Sequence, residues 1–195
     1  MKNLLGILTL LWALGGPAIA APFEDGVRAL AKGDFAAARA VFGPLAKADD
    51  GNAQFMLGVM SENGLGTAKD LAAAARWYLK AAAAGVASAQ YNIAVFYQFG
   101  KGVAPNPAEA LRWHALAADQ GHRRAQNNLG AMYYTGAGVA RDLVEAWKWL
   151  TLAAQGLRGE AGDIVLRNIA AIEGELTPDA LADAKRRVGS WEKRK

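Results

Sequence analysis

Apolar and polar positions along this chain follow the period of a helix, and the pattern itself returns every 36 residues. Ala53, Leu57 and Met60 fall at i, i+4 and i+7, which predicts an amphipathic helix over about residues 53–63. The segment Ala53-Gln54-Phe55-Met56-Leu57-Gly58 recurs as Ala89-Gln90-Tyr91-Asn92-Ile93-Ala94 and as Ala125-Gln126-Asn127-Asn128-Leu129-Gly130, with no insertion between copies. Downstream positions keep the same step: Gly64, Gly100 and Gly136, then Gly66, Gly102 and Gly138, then Asp70, Asn106 and Asp142. Trp77, Trp113 and Trp149 follow in register, and so do the pairs Ala81-Ala82, Ala117-Ala118 and Ala153-Ala154. A fixed period of this length is the mark of a solenoid.

Each unit reads as two helices. A small residue at 58, 94 and 130 admits a neighbouring helix closely, and Gly64, Gly100 and Gly136 end the first helix where a left-handed residue is wanted. Asp70, Asn106 and Asp142 are N-caps for the second helix, reinforced by Pro107 at N1 and by Glu109 and Glu145 at N3. Ala74, Trp77 and Ala81 then form one apolar stripe, so the three tryptophans are read as packing residues. The G-x-G after the first helix is a turn, because a phosphate-binding loop needs a further glycine or a Gly-Lys-Ser/Thr sequence. Cruder helix pairs flank the repeats. One runs from about Glu24 to Lys47, broken at Gly33 with Asp34 as cap; the other runs from about Ala161 to Trp191, broken near Gly174 with Thr177 and Pro178 opening its second helix. Terminal units of a solenoid are expected to be atypical.

These motifs resemble the Sel1-like repeat family, a relative of the tetratricopeptide repeats. Residues 89–121 (AQYNIAVFYQFGKGVAPNPAEALRWHALAADQG) and 125–156 carry the family's alanine, tyrosine, glycine and tryptophan positions. The copy at 53–85 departs at Ser61, where Tyr is usual, and at Thr67, where Val is usual; the third copy brings its last glycine one residue early, at Gly156. The resemblance implies an all-α, right-handed α-solenoid of antiparallel helix pairs, with the first helices lining a concave face, and a role as adaptor or scaffold for protein complexes. The expected organisation is a single helical-repeat domain over 21–195. It divides into an N-terminal capping pair at 22–52, repeats at 53–88, 89–124 and 125–160, and C-terminal capping helices at 161–195.

The N-terminus reads as a secretory signal. Lys2 is followed by an apolar run from Leu4 to Leu14, a Gly15-Gly16-Pro17 break and the box Ala18-Ile19-Ala20, so cleavage is expected after Ala20. About a dozen apolar residues are too few to span a bilayer, which takes about 20. No membrane span is therefore expected after cleavage, and the expected location is the periplasm or the exterior. The chain has no cysteine, so helix packing alone must hold an exported protein together. The formal net charge is +4, but Lys2 carries one of those charges and Lys185–Lys195 a net five, which leaves the body slightly acidic. Nucleic acid is not an expected partner, since that needs bases spread along one face. The cluster of Lys185, Arg186, Arg187, Lys193, Arg194 and Lys195 is read as a solvated helix end, with weak contact to an anionic surface as the sharper alternative.

No catalytic constellation stands out, and no cofactor is implied. His114 follows Trp113 at a packing position and is expected to be half-buried. His122 lies just past Gly121, and the two make no metal site by spacing. Ser190-Trp191-Glu192-Lys193 matches S-x-x-K, but the companion S-D-N and K-T-G elements of a β-lactam-processing enzyme are missing, and the tetrapeptide is placed at a frayed helix end. The binding candidates are residues of the first helices that are neither glycine nor evident packing: Asn92 and Asn128; Gln98 and Tyr134, with Glu62 as their counterpart; and Gln54, Gln90 and Gln126. Amide rows can bond the backbone of an extended segment, and tyrosine suits interfaces; the glutamine row has the alternative of bridging adjacent repeats. The expected function is capture of a protein or peptide on the concave face. Alternatives are regulation of a membrane sensor kinase or of envelope and exopolysaccharide assembly and, in a different class, β-lactam or cell-wall processing.

Overall fold

The computed structural model describes residues 21–156 and 158–192. The predicted signal and its cleavage site, together with Lys193, Arg194 and Lys195, lie outside the described residues. Among the described residues there are ten helices and no strand. They are α1 (Ala21–Ala31), α2 (Phe35–Lys47), α3 (Gly51–Asn63), α4 (Leu71–Ala83), α5 (Ala87–Phe99), α6 (Pro107–Asp119), α7 (Arg123–Thr135), α8 (Leu143–Ala154), α9 (Gly159–Glu175) and α10 (Pro178–Glu192). The chain divides after Ala84 into two compact units.

In the first unit α1 packs on α2, α2 on α3, and α3 on α4. Phe23 and Phe42 meet at 5.3 Å between ring centroids and close the first hairpin. The second hairpin closes where Gly58 faces Tyr78. A Cβ on that glycine would lie 2.6 Å from the ring, so only a missing side chain permits the approach. The Tyr78 hydroxyl, at the far end of the ring, donates to Glu62 at 2.6 Å.

The second unit repeats this arrangement in α5–α6 and α7–α8 and adds α9 and α10, both packed on α8. Leu150 stands against Gly130 as Tyr78 stands against Gly58, and Ala94 and His114 hold the same two positions in the intervening copy. Position 78, 114 or 150 is thus deeply buried in each second helix (0–1 % exposed), one residue beyond the tryptophan. Trp77 is only half-buried. All three indole rings carry a cation on one face: Lys80 at 5.1 Å, Arg112 at 4.0 Å and Lys148 at 4.1 Å. Packing is the role expected of these tryptophans, and Trp113 and Trp149 are buried, Trp149 against Leu129, Leu152 and Trp191; the side chain that faces the small residue of each first helix is their C-terminal neighbour.

The helix ends follow the sequence. Gly64, Gly100 and Gly136 end α3, α5 and α7 with φ of 71°, 67° and 77°, a conformation that side chains with a Cβ resist. Asp70, Asn106 and Asp142 accept N-terminal amide protons of α4, α6 and α8. The first helices begin two residues earlier than their apolar pattern suggests, because Asp50 and His122 act as side-chain caps ahead of α3 and α7. The second glycine of the turn has a different task. A Cβ on Gly66 would meet Phe35, and one on Gly138 would lie 2.7 Å from the Pro107 carbonyl oxygen, so each turn rests on the first residue of the preceding second helix.

At the C-terminus the break falls near Gly174 as expected: α9 ends at Glu175, and Thr177 accepts the Ala180 amide proton ahead of Pro178 at the start of α10. One expectation there needs correction. The end of α10 is not frayed at Trp191. That ring is buried, meets Trp149 edge-on at 6.4 Å and donates from Nε1 to Asp119 at 3.1 Å, which ties the last helix back to the end of α6.

Candidate partner-binding face

The glutamines at positions 54, 90 and 126 of the first helices are interior residues, and those at 54 and 126 face the hairpin before them. Gln54 and Gln126 are 3 % and 0 % exposed, and each donates from Nε2 to a carbonyl in the last turn of the preceding helix, Ala46 or Ala118, at 3.1 Å. Gln126 also accepts from Arg123, and Gln90, 4 % exposed, accepts from Gln120 at 2.7 Å. Gln54 and Gln126 therefore bracket neighbouring hairpins, the alternative that spacing left open, whereas Gln90 bonds Gln120 at the end of α6 in its own hairpin. The physical reason is that the second-helix carbonyls at a helix end need donors.

The other candidates separate into engaged and available groups. Glu62 accepts from Tyr78. Tyr134 is half-buried on α7; its hydroxyl donates to Glu175 at 3.3 Å and its ring lies under Arg141, which itself bonds Glu175 at 2.7 Å. Asn92 on α5 and Asn128 on α7 are half-buried at one repeat position, whereas Met56, their counterpart in the first unit, is buried. Gln98 is exposed in the last turn of α5. Among the described residues no side-chain partner engages Asn92 or Gln98, and Asn128 has a single contact, its Nδ2 3.4 Å from His114 Nε2. The structure thus brings Asn92, Gln98 and Asn128 to one unit.

The family model of the Sel1 repeat matches at residues 51–86, 87–122 and 123–156, more than half of the chain. The chain belongs to the Sel1 repeat family. These matches begin where α3, α5 and α7 begin. Among solved structures, the chain is similar to c5321, a protective antigen of uropathogenic Escherichia coli strains with an SLR fold: 31% identity, TM-score 0.68, covering 80% of this chain and 32% of that one. It is also similar to a Sel1 repeat protein from Oxalobacter formigenes, at 30% identity and TM-score 0.68, covering 75% of this chain and 59% of that one. The chain thus spans about a third of the first structure's length and about three-fifths of the second's. No protein with a curated description matches it. Sel1 repeats build α-solenoids, and proteins that carry them generally mediate protein–protein interaction.

Three features of this Sel1 repeat chain escaped the sequence reading. Phe99 is 64 % exposed beside Gln98, in a place where the other copies carry Asn63 and Thr135; an apolar residue among polar counterparts was the available signal. His114 is fully buried rather than half-buried. It and His122 flank one ring: Tyr91 stacks on His122 at 4.7 Å and lies 5.8 Å from His114. No group of three or more His, Cys, Asp or Glu side chains placed to hold a metal occurs among the described residues. The basic C-terminal stretch is also less free than its composition suggests, since Arg186 pairs with Asp183, and Arg187 with Asp183 and Glu145. Ser190 lies on the exposed side of α10, next to the anchored Trp191. No described helix is long and apolar enough to cross a membrane.

Proposed function

We propose that this Sel1 repeat chain is an exported adaptor that holds a protein or peptide segment on the first helices of its second unit. The observation that carries the reading is the polar row of Asn92, Gln98 and Asn128, of which, among the described residues, only Asn128 has a polar side-chain contact, at 3.4 Å from His114, with the exposed Phe99 ring beside it, on a scaffold whose other candidate residues are used internally. Free amides can bond the backbone of an extended segment, and an exposed ring gives such a segment an apolar anchor. Export is supported by the basic residue, short apolar run and small-residue box at the N-terminus. Placement in the periplasm, and action on a sensor kinase or on envelope assembly, are the forms this role would take.

The test is capture by in-cell crosslinking with tagged protein at native level. Asn92→Ala, Gln98→Ala and Asn128→Ala together should abolish capture while helix content stays unchanged; Leu116→Ser on α6 should leave it intact. Capture that survives the triple substitution would overturn the assignment of the face. Mass measurement of the secreted protein tests export, and an unprocessed cytoplasmic chain would refute it.

A further inference from the structure

The stack of His114, Tyr91 and His122 lies at the seam between α5–α6 and α7–α8, and its hydrogen bonds suit neutral imidazoles. His122 caps α7 by accepting the Ala125 amide proton on Nδ1 at 3.2 Å, which requires that nitrogen to be unprotonated. His114 is 0 % exposed; its Nε2 faces the Asn128 amide nitrogen, while its Nδ1 has no hydrogen-bond partner. A second proton on His114 would turn Nε2 into a donor and force the Asn128 amide to turn over. A second proton on His122 would break the cap. We propose that this stack is an acid-sensitive joint: a proton on either imidazole loosens the seam between the two hairpins and changes what Asn128 offers on the face described above. The loosening of the seam does not depend on the partner-binding reading; the change at Asn128 rests on it.

The surrounding charges reinforce the geometry. Burial first, and then the neighbouring His122, push His114 down to about 4; burial, and then Arg124 on α7, do the same to His122, also to about 4. Arg123 is held by the Leu152 carbonyl and Gln126, Asp119 on α6 accepts from Trp191, and Glu109, further up that helix, is paired with Arg112. Tyr91 faces both imidazoles from α5. Unfolded histidine binds its proton near 6.5. The unfolded chain therefore takes up protons that the folded one refuses, and stability falls as the pH drops from about 6.5 toward 4. Two such groups each raise the opening constant roughly 20-fold between pH 7 and pH 5.

The experiment compares urea unfolding of the purified protein at pH 7 and pH 5 with that of His114→Leu, His122→Asn and the double variant. Leu150 holds the position of His114 in the next repeat, so leucine fits the site, and asparagine keeps a cap acceptor. The wild type should lose stability across this range, each single variant should recover about half of the loss, and the double variant should be nearly flat. Imidazole NMR titration of the wild type supplies a second reading that needs no variant. A double variant as acid-sensitive as the wild type, or imidazoles that titrate near 6.5, would overturn the proposal. Hydrogen-exchange protection factors, which correct for slower intrinsic exchange in acid, should fall at pH 5 in residues 87–135 of the wild type alone; protection that stays uniform would sink the claim that the seam opens.

Discussion

Replacing Gly130 by alanine should destabilise the protein, although the position is helical and alanine is the better helix former. The intrinsic gain from Gly to Ala inside a helix is about 1 kcal/mol. Against it stands the third hairpin: the new Cβ would lie 2.7 Å from Leu150 Cγ and 3.1 Å from its backbone nitrogen. The Leu150 branch point is the nearest atom and is held in the packed hairpin, so α7 and α8 must separate by some tenths of an ångström to admit the Cβ, and overpacking of this kind costs about 1–3 kcal/mol. The clash wins, with an expected net loss of about 1 kcal/mol, or roughly half a molar in urea midpoint. Gly189→Ala in α10 is the control, because nothing lies within 4 Å of a Cβ there; it should raise the midpoint slightly. The double-mutant cycle with Leu150→Ala decides the cause, since removing the leucine branch should erase most of the Gly130→Ala penalty. If Gly130→Ala stabilises as much as Gly189→Ala, or costs the same with Leu150 truncated, the close-approach argument is wrong.

Further outcomes follow from the contacts that close the second unit. Trp191→Ala should cost about 3–5 kcal/mol as a buried ring is removed, and Asp119→Ala about 1–3 by depriving the indole of its acceptor; equal stability of either variant and wild type in urea would show that α10 is not anchored there. Gln126→Ala, which removes the donor to the Ala118 carbonyl, should cost about 1–3 kcal/mol, whereas Gln98→Ala should stay within about 0.5, and calorimetric melting separates the two. Burial works to raise Glu145, but bonds from Arg187 and Lys148 outweigh it and hold this carboxyl below the usual range. Its contribution is present above that range and lost as the pH falls through it. Glu145→Gln should thus flatten stability below about pH 4.5 without altering the limb assigned to the histidines.

The regular part of the fold was legible because each repeat states its own punctuation. Asp70, Asn106 and Asp142 cap, Gly64, Gly100 and Gly136 stop, and both are local effects that a linear sequence carries. What stayed hidden depends on neighbours brought together from afar. Tyr78, His114 and Leu150 share one deep position, yet three unlike side chains conceal it, and only the facing small residues at 58, 94 and 130 reveal it. Gln54 and Gln126 resembled surface residues because their partners are main-chain carbonyls, which every residue has and no motif marks. Tyr91 lies 31 positions from His122 and meets it only when two hairpins come into register. Trp191 seemed to belong to a charged tail, because its acceptor Asp119 is 72 positions away. Asn92 and Asn128 were legible as a row, but that Tyr134 is held by Arg141 and Glu175 was not.

The seating of Gly66 on Phe35 and of Gly138 on Pro107 bears on how such a chain can change over generations. The distance from one hairpin to the next is set there by a bare glycine against the backbone and Cβ of Phe35 or Pro107, atoms that no rotamer change can move aside. A duplication or deletion of one whole 36-residue block re-creates the same seat at the new junction. A gain or loss of one or two residues in the turn lifts the glycine off its seat and misaligns every later hairpin. Length variation among descendants of this gene is therefore expected to come in whole blocks, with the turns between them invariant in length.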